Sequence, residues 1–306
     1  MKETADVTAS FPFVLNVAAG PGPVTADAAE AILAGVHSVV WTGPIDWLSP
    51  DRAFDIPFDG DPDSVRAALR DVHHEWLLDI NVLPAANRQK RLLIADMDST
   101  IIRCECIDEL ADMAGIKPKV AAITERAMRG EIDFPAALRE RVSLLKGLPV
   151  EDLARVYAER VRLTPGARAL TATMRAHGAH TLLVSGGFSF FTSRVAAAAG
   201  FEQDHGNRLL DDGKHLTGTV AEPILGREAK LQALENTVRR LGIRFDDALA
   251  VGDGANDLDM IRRAGLGVAY HAKPVVAAAA GCSIAHGDLT SLLYLQGYRG
   301  NEILSE

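Results

Sequence analysis

The chain has 306 residues, with 41 acidic against 32 basic side chains and a formal net charge of -9. It is long enough for two domains, and non-specific attraction to nucleic acid or anionic lipid is disfavoured. With 48% hydrophobic and 24% charged residues it has the balance of a globular protein, neither disordered nor fibrous. Three cysteines, Cys104, Cys106 and Cys282, make no disulfide framework and fit a reducing compartment; without a CxxC they offer no zinc site. The first 20 residues hold too short an apolar run for a signal peptide. No run of about 18 apolar residues occurs anywhere, so the expectation is a cytoplasmic protein with neither membrane nor nucleic acid as partner.

In chain order, residues 11–17 read as an apolar strand and residues 26–35 as a short helix opened by Thr25. Residues 37–41 and 53–58 read as strands, a helix from Asp63 or Ser64 to about residue 74 follows, and residues 76–82 form a last strand. The order βαββαβ predicts a ferredoxin-like module over residues 1–85. By element order it resembles a degenerate amino-acid-binding domain of the ACT type, which implies either a ligand site or a packing or dimerisation module, with a homodimer as the assembly it would serve.

The polar linker PAANRQKR leads into LLIADMDSTII, whose first four residues are all apolar, as in a strand buried on both faces of a parallel sheet. From residue 105 to about 159 the apolar spacing turns helical, in IDELADMAG and PAALRERVSLLKGL. Helices and strands then alternate: helix 167–177, strand HTLLVSGG, helix FFTSRVAAAAG, strand TGTVAEPI, helix EAKLQALENTVRRLG, strand ALAVGDG, helix NDLDMIRRAG and strand LGVAY. That pattern predicts a doubly wound α/β domain over residues 90–306, with a helical insertion at about 105–165 just after its first strand.

In open sheets of this kind ligands bind beyond the carboxyl ends of the strands, and there the chemistry-bearing residues fall. Asp96 and Asp98, two apart on an extended segment, face the same way; so close, they demand a cation between them or a shared proton. Asp253 and Asp257, in VGDGANDLDM after the strand ALAV, add hard oxygens of the kind magnesium prefers, and Asn256 offers an amide. In VSGG, the hydroxyl of Ser185 and the backbone of Gly186 can cradle a phosphate, and Lys230 supplies a point charge for one.

These motifs resemble those of the haloacid dehalogenase superfamily over about residues 90–295. DxDx[ST] is met by Asp96, Asp98 and Thr100, the hydroxyl-plus-glycine motif by Ser185 and Gly186, the lysine by Lys230, and the acidic motif by Asp253 and Asp257. The longer text DMDST, IDELA, ITERAMRGEIDFPAALRERVSLLKGLP, VSGGF and VGDGANDLDM is similar to that of its phosphoserine phosphatase family. The resemblance implies magnesium-dependent hydrolysis of a small phosphomonoester, O-phospho-L-serine, in the last step of serine biosynthesis. By it, Asp96 is the nucleophile and Asp98 the general acid and then base. Magnesium is held by Asp96, Asp253 and the backbone carbonyl of Asp98, with Asp257 behind them, while Lys230 and Ser185 stabilise the phosphoryl group. In the insertion, Glu105 and Arg141 would read the ammonium and carboxylate of the amino acid, and Met128 and Phe134 would cover its carbon skeleton. Met97 stands where relatives often carry Phe. A phosphatase or phosphotransferase for another small phosphomonoester, or an idle amino-acid sensor on the same fold, stay open as alternatives.

Overall fold

The computed structural model describes residues 11–69 and 76–305; the expectation about a signal peptide falls partly on residues 1–10, outside them. The N-terminal unit runs β1 (Phe13–Ala19), α1 (Ala26–His37), β2 (Trp41–Thr42), β3 (Asp46–Ser49), β4 (Ala53–Asp59), α2 (Pro62–Ala68) and β5 (Leu78–Pro84). Its antiparallel sheet has the order β2-β4-β1-β5, with β3 also paired to β4. Thr25 caps α1 as expected, its hydroxyl accepting the Ala28 N–H at 3.2 Å. The strand expected at residues 37–41 is absent. The helix continues to His37 because Val36 is buried in the core, and pairing begins only at Trp41. The cap of α2 is Asp61, whose carboxylate accepts the N–H groups of Asp63 and Ser64, because Pro62 starts the helix earlier than expected. That helix, expected to run to about residue 74, ends at Ala68, where Leu69 leaves helical geometry as the C-cap.

Alternation along β1 gives this sheet two buried faces. Leu15 and Val17 join Ile32, Phe54, Ile56 and Phe58 in the unit's own core, whereas Val14 packs into the core of the following domain. The junction is polar as well as apolar. Asn16 donates to Asp55 and to the Tyr294 carbonyl, and Arg88 donates to Asp55 and to the carbonyls of Tyr294 and Leu295. Asp79 accepts the N–H groups of Ala285, His286 and Gly287. The Asn81 amide exchanges bonds with both main-chain groups of Ser283, at 3.0 and 2.8 Å.

The second unit opens with β6 (Leu92–Ala95), then the helices α3 (Cys106–Met113), α4 (Lys117–Met128), α5 (Phe134–Ser143) and α6 (Val150–Arg160). There follow α7 (Ala167–Ala176), β7 (His180–Phe188), α8 (Ser189–Ala199), β8 (Gln203–Asn207), β9 (Leu209–Asp211), β10 (Leu216–Val220), α9 (Arg227–Leu241), β11 (Ala248–Gly252), α10 (Leu258–Arg263), β12 (Leu266–Tyr270), α11 (Pro274–Ala277), β13 (Cys282–Ile284) and α12 (Ser291–Leu295). Six strands form a parallel sheet in the order β13-β12-β11-β6-β7-β8. β6 is buried on both faces as its composition requires: Leu93 and Ala95 face the layer of α7, α8 and α12, while Leu92 and Ile94 face α9 and α10.

TGTVAEPI is not a strand of that sheet. Its first part, β10, pairs antiparallel with β9 and turns alternate residues inward. The outer position falls instead to β8, QDHGN, whose side chains are mostly polar and open to solvent. The hairpin of β9 and β10 holds the turn between α5 and α6 of the helical insertion: the Gly147 N–H donates to the Leu216 carbonyl, and the Leu216 N–H to the Leu148 carbonyl, each at 2.9 Å.

Candidate active site

The site forms where β6 and β11 end beside the stretch of β7 after Val184 whose pairing with β8 is interrupted. The Asp96 N–H still donates to the Val251 carbonyl at 3.0 Å, which seats Asp96 beside the start of the Gly252–Asp253 turn. Asp98 then stays extended and Ser99 adopts a left-handed φ of 57°, so the chain reverses into α3 without carrying the carboxylates away. Two glycines admit the close packing. A Cβ on Gly252 would strike the Asp257 carboxylate, and one on Gly187 would lie 2.7 Å from Asp98 Oδ2.

Asp96 and Lys230 are almost wholly buried, 4% and 2% exposed. Lys230 Nζ donates at 2.6 Å to Asp96 Oδ1 and at 2.6 Å to Asp257 Oδ1; the other Asp257 oxygen accepts the Gly254 N–H. Oxygens of Asp96, Asp253 and Asp257 all lie within 4.8 Å of one another. Three carboxylates against one ammonium leave an excess of negative charge in a poorly solvated place. Burial and then Asp257 push Asp96 well above the usual carboxylate range, against the pull of Lys230. Burial, with Asp257 and Glu105 nearby, pushes Asp253 up to about 6. Burial opposes the charge of Lys230, yet Asp257 and Asp96 raise it above an ordinary lysine, so it stays an ammonium. A compact set of hard oxygens with unbalanced charge fits a divalent, oxygen-preferring cation.

Asp98 is placed differently. Its Oδ1 accepts the Cys106 N–H at 3.2 Å at the start of α3, and burial together with the charge of Glu105 pushes its carboxyl up to about 7. Near neutral pH it therefore exchanges a proton readily. Ser185 Oγ accepts the Gly187 N–H at 2.8 Å, so that this oxygen is oriented by its own loop.

A cavity of about 390 Å³ covers these groups; Asp257 lies beneath it, and Met97 and the motif residue Thr100 are buried away from it. Its floor is Asp96, Asp98, Ser185, Gly186, Lys230 and Asp253; its roof is the helical insertion, with Glu105, Met128, Phe134 and Arg141; Asn256 stands at its side. Glu105 accepts the Ser99 hydroxyl at 2.6 Å. Arg141 is half-buried, which lowers its pKa against the pull of Asp108 and Glu105, and its Nε donates to the Ala137 carbonyl at 3.3 Å. Phe134 lies against the main chain of Gly186 and Gly226. Met128 is 66% exposed at the mouth. Thr124 and Ile107 also line the roof; their helical spacing marks them only as insertion residues. Ser99 was legible within DMDST, but nothing in the sequence foretold its left-handed backbone.

Residues 93–262 match the haloacid dehalogenase-like hydrolase family, and the chain belongs to it. It is 46% identical over 234 residues to the phosphoserine phosphatase of Archaeoglobus fulgidus, covering 76% of this chain and 68% of that one. It is 38% identical over 291 residues to the phosphoserine phosphatase SerB2 of Mycobacterium tuberculosis, covering 92% and 70%. The crystal structure of a probable phosphoserine phosphatase from Vibrio cholerae in unliganded form superposes with a TM-score of 0.77 at 29% identity, covering 96% of this chain and 89% of that one. Within the hydrolases, then, the chain falls in the phosphoserine phosphatase family. Among the described residues no helix is long and apolar enough to cross a membrane.

Proposed function

We propose that the chain hydrolyses O-phospho-L-serine to serine and phosphate, with magnesium as its metal, in serine biosynthesis in the cytoplasm. One observation carries the reading: a buried carboxylate held by an ammonium, Asp96 with Lys230, shares a cavity floor with a carboxyl poised near neutrality, Asp98, beneath a roof bearing one acid and one guanidinium. That arrangement suits in-line transfer of a phosphoryl group to Asp96. As the Asp96 oxygen bonds to phosphorus, the bond to the serine oxygen breaks and Asp98 gives that oxygen its proton. A water then attacks the phosphoaspartate, Asp98 takes a proton back, and phosphate leaves with Asp96 restored. Lys230 and the Ser185 hydroxyl stabilise the charge gathered on the phosphoryl oxygens, and Asn256 and the backbone of Gly186 lie close enough to assist.

Asp96, Asp253 and the backbone carbonyl of Asp98 would hold the metal, with Asp257 securing Lys230 behind them; when bound, it supplies neutralisation between the Asp96 carboxylate and the phosphate. The insertion serves as a cap: Glu105 takes the ammonium of the substrate, Arg141 its carboxylate, and Met128 and Phe134 enclose the carbons between. The N-terminal unit is read as a degenerate ACT-like domain packed on the catalytic one, a reading supported by its strand order. Release of phosphate from L-phosphoserine, with and without added magnesium, is the test. Metal-dependent turnover of L-phosphoserine above other phosphorylated amino acids and sugars is expected, and preference for another ester would overturn the substrate.

A further inference from the structure

We propose that Asn207 is a positioning residue that aims the Ser185 hydroxyl at the phosphoryl group, an inference that rests on the phosphatase reading above. Asn207 ends β8 and is 2% exposed. The pairing of β7 with β8 is regular through Val184 and resumes at Phe188, opposite Asn207. Between them, the main chain of Ser185, Gly186 and Gly187 departs from the ladder to face the cavity. The Asn207 side chain occupies that gap. Its Nδ2 donates to the Gly186 carbonyl at 2.8 Å and to the Leu225 carbonyl at 3.0 Å, and its Oδ1 accepts the Leu225 N–H at 2.7 Å.

The consequence follows from the planarity of the peptide. Fixing the Gly186 carbonyl toward Asn207 points the Gly187 N–H the opposite way, where it donates to Ser185 Oγ. With that lone pair engaged, the Ser185 hydroxyl keeps its hydrogen for an acceptor in the cavity. On its other side Asn207 grips Leu225 by both main-chain groups. Leu225 precedes Gly226, whose carbonyl accepts the Lys230 N–H in the first turn of α9. One buried amide thereby ties the Ser185 loop to the helix that delivers Lys230. The position needs two donors and one acceptor on a short side chain: aspartate has no N–H, and glutamine is a methylene too long.

The test is a double-mutant cycle on phosphoserine turnover, with Asn207→Ala made in the wild type and in Ser185→Ala. In the wild-type background Asn207→Ala is expected to lower kcat by about 10- to 100-fold, as for a residue that orients a contacting group. In the Ser185→Ala background the loss should be much smaller, because the hydroxyl that Asn207 orients is gone. The preference for phosphoserine over phosphoethanolamine should not move, since the amino-acid end meets the insertion. Equal fold losses in the two backgrounds overturn the proposal, as does unchanged kcat in Asn207→Ala. If Asn207→Ala does not fold, Asn207→Ser, which keeps one donor, takes its place in the cycle; failure of both to fold overturns the proposal in favour of a folding role. A wild type inactive on phosphoserine would defeat the phosphatase reading itself, an outcome distinct from all of these.

Discussion

The floor and the roof of the cavity are built on opposite terms. In and beneath the floor, Asp96, Lys230 and Asp257 are buried and joined by short charged hydrogen bonds, Asp96 just past a sheet strand, Lys230 in the first turn of α9 and Asp257 at the N-cap of α10. In the roof, Glu105 is exposed and leans on Ser99, Arg141 is half-buried and bonded only weakly to its own helix, and Met128 stands largely in solvent. On the proposed mechanism, the groups that act on the phosphorus are fixed before substrate arrives, where preorganisation is worth most. On the same proposal, the groups that meet the variable part of a substrate are the more exposed and loosely held ones.

That contrast breaks most visibly at Asp96. Asp96→Asn keeps size and loses the nucleophile, so kcat should fall by roughly 10⁶, the scale seen when an enzymic nucleophile is removed, while the melting temperature stays near or above that of wild type because one buried negative charge is gone. Full activity in the purified variant would rule out the phosphoaspartate. Asp98→Asn comes next. Proton transfer is worth about 10² to 10⁴ in rate, so that loss should appear on phosphoserine and shrink on nitrophenyl phosphate, whose leaving group needs little protonation. Equal losses on both esters would remove Asp98 as the acid.

Effects in the roof should be smaller and should depend on the substrate. Arg141→Ala is expected to weaken kcat/KM for phosphoserine by roughly 2 to 5 kcal/mol, the penalty of breaking a desolvated charged contact, and to leave the poor turnover of phosphoethanolamine, which lacks the carboxylate, nearly untouched. Glu105→Gln should harm both compounds. It should also shift a pH profile: Glu105 helps to hold Asp98 up near 7, so its loss lowers that pKa, and the alkaline limb of kcat/KM, where Asp98 gives up the proton it must donate, should move to lower pH. An unmoved limb would separate Glu105 from Asp98. Smallest for activity is Asn81→Ala, far from floor and roof: kcat/KM should not change, while stability falls by about 1 to 3 kcal/mol as the Ser283 main chain loses its partners, measured by urea denaturation.

The same contrast explains what could be seen in the sequence. The floor was legible because parallel strands buried on both faces print as continuous apolar runs, LLIA and ALAV, with the acidic and glycine-rich turns directly after them. Outer strands carry no such print. β8 reads QDHGN because only its last residue is buried, so neither the strand nor Asn207 announced itself, and the more apolar TGTV took its place in the expected sheet. The helical character of the insertion followed from spacing, but its helix boundaries did not, and how Phe134 meets Gly186 and Gly226 is a matter of tertiary packing between segments about 50 to 90 positions apart.

The bonds between Asn81 and Ser283 carry a consequence for solubility. β13 is the last strand of its parallel sheet, and a strand in that place offers unpaired main-chain groups to any other extended chain. The Asn81 side chain presents one N–H and one carbonyl to Ser283, the same pair a neighbouring strand would present, and Asp79 takes up the N–H groups just beyond. The N-terminal unit thus serves as a blunt stop on the growth of the catalytic sheet, and a catalytic unit prepared without it would be prone to self-association along β13 even with its chemistry intact.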